Sequence, residues 1–206
     1  GLYPTPAGGS EQWQQDDWLN NTDIVNKAAK INIYGSTRYG WLVTPPINLS
    51  DANYELSFDA ARMTWNQNTP PTTTQDDDRF IIIVSDSQDM SNPSILREWN
   101  NTGSEYVLNS IPAEGMNYTV PLTGLSGIKY IAFYAESTVS GNGDNDLMVD
   151  NVNIDVFTET PIFAIDPASH DFGDIVVNNS ASQTFTISNA GTGSLGIQSI
   201  AISGSD

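Results

Sequence analysis

Tyr54-Glu55-Leu56-Ser57-Phe58-Asp59-Ala60 alternates apolar with polar side chains, and Arg79-Phe80-Ile81-Ile82-Ile83-Val84-Ser85 follows as a continuous apolar run. A strand sends successive side chains to opposite faces, so the first stretch reads as a strand with Tyr54, Leu56 and Phe58 on one face. The second suits a strand buried on both sides or lying across a concave face.

The pattern repeats outward from these two. Trp41-Leu42-Val43 runs into Pro45-Pro46, an extended stop that cannot sit in a central ladder. Ser94 to Trp99, Met116 to Leu122, Lys129 to Glu136 and Leu147 to Phe157 read as further strands, with turns at Gly103-Ser104, Gly124 and Gly141-Asn142-Gly143. The best helical candidate is Asp23 to Ile33, with Ile24, Ala28 and Ile31 at helical spacing, yet Ala29 to Tyr34 alternates and reads as a strand. Short strands without intervening helices predict an all-β chain whose residues 1–158 form a jelly-roll β-sandwich.

Thr158-Glu159-Thr160-Pro161 reads as a linker. Beyond it, Ile162 to Ile165, Gly173 to Val177, Thr184 to Ser188 and Leu195 to Ile202 read as strands, with a tight connection at Asn189-Ala190-Gly191-Thr192-Gly193. About 45 residues is roughly half of an immunoglobulin-type sandwich. Residues 159–206 are therefore expected to be an incomplete immunoglobulin-like unit, and the chain a fragment of a longer polypeptide.

Composition narrows the function. There is no cysteine, which excludes thiol nucleophiles, thiolate zinc sites and iron–sulfur clusters. Seven Lys and Arg stand against 25 Asp and Glu, a formal net charge of −18, which repels nucleic acid phosphates and anionic lipid heads. No apolar run approaches the roughly 18 residues of a membrane helix, so membrane insertion is not expected. Only 16% of residues are charged while Asn, Ser, Thr and Gly are plentiful, a composition that suits a secreted or cell-surface protein.

Several motifs carry a resemblance. Gly40-Trp41-Leu42-Val43-Thr44-Pro45-Pro46-Ile47-Asn48-Leu49, the strand Tyr54 to Ala60, Asp78-Arg79-Phe80 with Ile83-Val84-Ser85, Tyr130-Ile131-Ala132-Phe133 and Val149-Asp150-Asn151-Val152 follow one another in the order seen in choice-of-anchor J domains. The first 160 residues resemble that family, which is related to cleaved-adhesin and more distantly to MAM domains. Ile165-Asp166-Pro167, His170-Asp171-Phe172-Gly173, Thr184 to Asn189 and Gly191-Thr192-Gly193 resemble the start of a choice-of-anchor D or ASPM–SPD-2–Hydin-like domain. The resemblance implies a jelly roll with an accessory role in a large, exported, often surface-attached bacterial protein. It also implies structural calcium, and it names no ligand.

No catalytic constellation is read from the residues. His170, the one histidine, falls in a turn-rich stretch, and a zinc site would have one nitrogen ligand and no sulfur. Glu55, Asp59 and Glu136 keep a carboxylate-dependent carbohydrate-active enzyme open as an alternative.

Two binding chemistries are sharper. Calcium takes six to eight oxygens on a bendable loop. Asp144 and Asp146 in Gly141-Asn142-Gly143-Asp144-Asn145-Asp146, with Asp150 on the next strand, offer such ligands, as do Asp76 and Asp78 in the Asp76-Asp77-Asp78 run. Solvated acidic loops are the alternative reading. Sugars stack on flat aromatic faces while amides and carboxylates fix their hydroxyls. Trp65, Asn66 and Gln67 open a long polar loop, and Trp99 precedes Asn100-Asn101, whereas Trp13 and Trp18 read as packing residues. Asn20, Asn48, Asn100, Asn117 and Asn178 each head an Asn-X-Ser/Thr triplet, a weak signal in an Asn-rich chain. The expectation is a non-catalytic extracellular module that binds a glycan or polysaccharide, with calcium in its loops; a spacer or surface-protein-binding segment is the alternative.

Overall fold

The computed structural model describes residue 6 and residues 13–22, 25–35, 38–49, 53–72, 77–138, 143–157, 160–191 and 193–201. The chain divides into two compact units, Gly1–Val156 and Phe157–Asp206.

The first unit is a β-sandwich. Its strands are β1 (Gln14–Asp17), β2 (Lys27–Ile33), β3 (Arg38–Val43), β4 (Ile47–Asn48), β5 (Tyr54–Thr64), β6 (Arg79–Ser85), β7 (Ser94–Asn100), β8 (Met116–Pro121), β9 (Ile128–Ser137) and β10 (Asn145–Val156). One sheet runs β1-β2-β10-β5-β8 and the other β3-β9-β6-β7, with β4 also pairing to β9. All these pairings are antiparallel. The order has a simple logic. The chain goes out through β2, β3, β5 and β6 and returns through β7, β8, β9 and β10, so that β6 pairs β7, β5 pairs β8, β3 pairs β9 and β2 pairs β10. This folded-over long hairpin is the jelly roll that strand number and spacing led us to expect.

Alternation explains the core. Leu56 and Phe58 of β5, Ile31 and Ile33 of β2 and Leu147 and Val149 of β10 face Phe80 and Ile82 of β6 and Ile131 and Phe133 of β9, all but solvent-free. Phe58 stands edge-on to Phe80, Trp99 and Phe133, at centroid separations of 6.0, 6.1 and 5.2 Å. The apolar run of β6 is buried on both faces, because Ile81 and Ile83 pack on the other side with Tyr134, Ala132 and Met90.

Three elements depart from expectation. Strand β5 continues to Thr64, beyond the alternating stretch, because Ala61 and Met63 are covered on the outer face by Trp18 and Leu19 while Arg62 stays buried on the inner one. Strand β1 is Gln-Gln-Asp-Asp, an edge strand held by its ladder to β2 with no apolar pattern to reveal it. The short β4 resumes pairing after Pro45-Pro46. Leu19 lies in a 3-10 turn, Trp18–Asn20, and its N–H points at Met148 Sδ 3.2 Å away. The turn's Trp18 ring approaches Gly115 so closely that an added Cβ would lie 2.7 Å from Cζ2, and Gly115 has φ +82°, so both space and backbone require glycine there.

The second unit carries one two-stranded antiparallel sheet among its described residues, β11 (Phe163–Asp166) with β12 (Thr186–Asn189). Asn189 Oδ1 accepts from the N–H groups of Ile162 and Gly191, both at 3.0 Å. Gly191 has no room for a Cβ, which would meet the Thr160 carbonyl oxygen at 2.2 Å. The strands expected at Gly173 to Val177 and Leu195 to Ile202 are absent among the described residues. Val176 and Val177 are 73% and 85% exposed and Ile200 is 78% exposed, so their apolar side chains have no sheet face to pack against.

Candidate functional site

A cleft of about 460 Å³ opens on the outer face of the first sheet, over β1, β2 and the start of β10. Strand alternation builds its floor. Ile31 and Ile33 point inward, so Lys30, Asn32 and, just past the strand, Tyr34 point outward along one line. Gln14 of β1 is paired with Lys30, and Asp146 of β10 with Asn32. The Asn32 amide donates to Asp144 Oδ1 at 2.6 Å and to Asp146 Oδ1 at 3.3 Å, fixing two carboxylates that lie 112 and 114 residues further along the chain.

The rim comes from the loop after β5. The Trp65 N–H donates to the Asp144 carbonyl at 3.0 Å and the Asn66 N–H to Asp146 Oδ2 at 2.7 Å. These two bonds stand the Trp65 side chain at the cleft edge, 52% exposed, while Tyr34 is 39% exposed on the floor's end. Two open aromatic surfaces thus border a floor of amides and carboxylates.

Lys30 sits in the middle. Its ammonium pairs with Asp16, donates to Asn20 Oδ1 at 3.2 Å and Asn66 Oδ1 at 2.9 Å, and lies 3.6 Å from Asp146 Oδ2. The Lys30 hydrogen bond holds the Asp16 carboxyl below its usual range despite some burial. The Asp146 carboxylate is fully buried and also accepts from Asn20 Nδ2 at 3.0 Å.

The structure sorts the residues nominated from sequence. Trp65, Asn66, Asp144 and Asp146 converge on this cleft, joining what sequence reading treated as a sugar site and a separate metal site. Gln67 is an exposed neighbour on the same loop, and its carbonyl accepts from Asn20 Nδ2 at 3.3 Å. Trp99 is not a ligand residue: it is 1% exposed in the core, stacked on Phe80 at 5.3 Å, and has no face to offer a sugar.

The aspartates nominated for calcium that fall among the described residues are Asp78, Asp144, Asp146 and Asp150, and only Asp144 and Asp146 lie together. Asp150 lies four residues beyond Asp146 on β10, about 13 Å along a strand, and accepts from Asn26 Nδ2 at 2.7 Å. Asp78 belongs to the opposite side of the sheet. Its neighbour there is Asn145, whose side chain points inward where that of Asp146 points out. Asp76 lies outside the described residues. Among the described residues no three His, Cys, Asp or Glu side chains are gathered as metal ligands. In the cleft itself the oxygens that would serve a cation surround the Lys30 ammonium, so a metal ion does not fit that position.

Asp78 heads a second polar cluster, buried at one end of the sandwich. Arg62 Nη1 donates to Asn145 Oδ1 at 3.0 Å, and Asn145 Nδ2 donates to Asp78 Oδ2 at 3.3 Å. Asp78 Oδ1 and Arg62 Nε have no hydrogen-bond partner among the described residues. Burial pushes the Asp78 carboxyl up to about 7, aided by the Asp77 charge and opposed by bonds from Ser137 and Asn145 and by the Arg62 charge. Of the carboxylates considered for catalysis, Glu55 and Asp59 lie four residues apart on β5 and Glu136 lies on β9 of the other sheet. Asp59 is on the outer face of the first sheet, accepting from Asn117 and Asn151 at 2.8 and 2.7 Å, whereas Glu136 is on the outer face of the second, paired with Arg79 and Tyr134.

Sequence reading missed Gln14, Asp16, Lys30, Asn32, Tyr34 and Arg38, which complete the cleft. The available signal was the polar side of the 29–34 alternation.

Among the described residues no helix is long and apolar enough to cross a membrane. No family model and no curated protein sequence matches the chain, so the choice-of-anchor resemblances rest on their motifs. Solved structures similar to this chain include the K1 cleaved adhesin domain of Lys-gingipain from Porphyromonas gingivalis W83, at 17% identity over 75% of this chain and 89% of that one, TM-score 0.49. The K3 cleaved adhesin domain of the same protein matches at 15% identity over 73% and 89%, TM-score 0.44. TmCBM61, solved with beta-1,4-galactotriose, matches at 15% identity over 73% and 92%, TM-score 0.41.

Proposed function

We propose that the first unit is a non-catalytic extracellular module that binds an oligosaccharide in the Trp65 cleft, and so attaches the protein carrying it to a polysaccharide or glycan surface. The observation that supports this best is the Trp65 loop, pinned through Asn66 and Asp144 so that an exposed indole borders a floor of amides and carboxylates. Aromatic faces pack on the C–H face of a pyranose, and oriented amides and carboxylates read its hydroxyls. A volume of about 460 Å³ falls within the ordinary range of ligand clefts. Against hydrolysis, a glycosidase needs one carboxyl raised to act as acid beside a second carboxylate. Here Lys30 holds Asp16 ionised, and Asp59 and Glu136 lie on opposite outer faces of the sandwich.

Titration calorimetry against a panel of soluble neutral polysaccharides tests the reading. Saturable binding that weakens at least tenfold in Trp65→Ala is the expected result. A wild-type protein that binds no member of the panel, or a Trp65→Ala variant that binds as well as wild type, would overturn it.

A further inference from the structure

We infer that the Lys30 ammonium is a tethered cation that assembles the cleft in place of a metal ion, so that the cleft keeps its shape, and its ligand, without calcium. Four oxygens from four separate elements converge on this one group. They are Asp16 of β1, Asn20 of the following 3-10 turn, Asn66 of the loop after β5 and Asp146 of β10. Two carboxylates and two amide oxygens are a hard, all-oxygen donor set of the kind calcium takes. Here the donor set encloses an ammonium whose side chain is only 12% exposed. A divalent ion beside it would meet a like charge at contact distance, which disfavours entry.

The backbone bears out how closely the cage is built around Lys30. Asn20 and Asn66 both adopt φ +51°, a left-handed conformation that Asn accepts more readily than most residues. Both then reach the same two partners: each offers its Oδ1 to Lys30 and a donor, Asn20 Nδ2 or Asn66 N–H, to Asp146 Oδ2. A buried carboxylate is costly unless a positive charge or several hydrogen-bond donors face it. Asp146 has both, and Lys30 supplies the charge that calcium supplies in a metal-built loop. Because the cation is covalently part of β2, no mass-action term in calcium enters the stability of this region.

Ligand binding at this cleft rests on the proposed function; unfolding does not, and therefore decides first. Thermal unfolding of the whole chain is followed in millimolar calcium and in excess EGTA, for wild type and for Lys30→Met. Wild type is expected to melt at one temperature in both buffers. Lys30→Met is expected to melt several degrees lower in EGTA and to recover part of the loss in calcium, because its four oxygens lack a cation. A calcium-dependent rise in wild type that Asp146→Asn abolishes would overturn the inference. So would a Lys30→Met loss that calcium leaves untouched, which would reduce Lys30 to an ordinary ion pair. If Lys30→Met does not fold, wild type and Asp146→Asn in the two buffers still decide. In the ligand arm, the affinity of wild type for a neutral polysaccharide is expected to be the same in EGTA as in calcium. Absence of any polysaccharide binding would sink the proposed function while leaving the melting data to judge Lys30.

Discussion

The Asn66 N–H donates to Asp146 Oδ2 at 2.7 Å, tying the loop that presents Trp65 to a buried carboxylate on a strand 80 residues away. The rim of the cleft is thereby fixed to its floor, and replacing either end has a defined effect.

Asp146→Ala removes the acceptor for Asn66 and Asn20 and leaves Lys30 short of a counter-charge. Leaving such donors unpaired costs about 1–3 kcal/mol. A loss of that size in unfolding free energy, read as a lower urea midpoint, is expected, together with weaker ligand binding because Trp65 is no longer held.

Trp65→Ala separates binding from folding. Half of this side chain faces solvent, so its loss is expected to leave the urea midpoint close to wild type. At an aromatic anchor, truncation commonly costs more than 1 kcal/mol of binding, and calorimetry should show affinity falling while the melting temperature holds.

Trp99→Ala should do the reverse. Trp99 is packed among Phe80, Phe58 and Tyr118 with 1% exposure. Emptying such a site costs about 3–5 kcal/mol. The variant is expected to unfold at much lower urea; binding measured well below that midpoint should match wild type.

Asp78 sets a pH dependence. Its carboxyl is raised to about 7 in the folded protein, against about 3.9 in an unfolded chain. Between those values the folded state binds more protons, so stability falls as pH rises from 4 to 7 and this contribution levels off above. The urea midpoint measured across that range should decline in wild type. Asp78→Asn, which cannot titrate, should flatten the decline whatever its absolute stability.

Sequence and structure agree where one physical rule dominates. Alternation in Tyr54 to Ala60 and the apolar run of β6 located their strands closely, because burial on one face or on both leaves a plain pattern. The same rule was silent for β1, whose four polar residues are held by backbone pairing to β2. At the site, Trp65 and Asn66 were legible as an aromatic in a polar loop, and Asp144 and Asp146 as concentrated charge. Their convergence was not legible, because it depends on β10 lying beside β2, a pairing no local window contains. Trp99 misled for a related reason: the Asn100-Asn101 that follow it look like loop, but Asn100 still belongs to β7 and the indole of the residue before it lies in the core. The acidic residues misled differently. A count of carboxylates cannot show that Lys30 already stands among them.

The out-and-back course of the chain has a temporal side. Strand β10 is the last of the first unit to be synthesised, yet it lies in the middle of its sheet, between β2 and β5. Until Asp144 and Asp146 have left the ribosome, Asn32 and the Asn66 N–H lack their carboxylate partners, and the early strands β2 and β5 each wait with an unpaired edge. The cleft is therefore completed only when β10 enters the sheet, after every other strand of the first unit has been made.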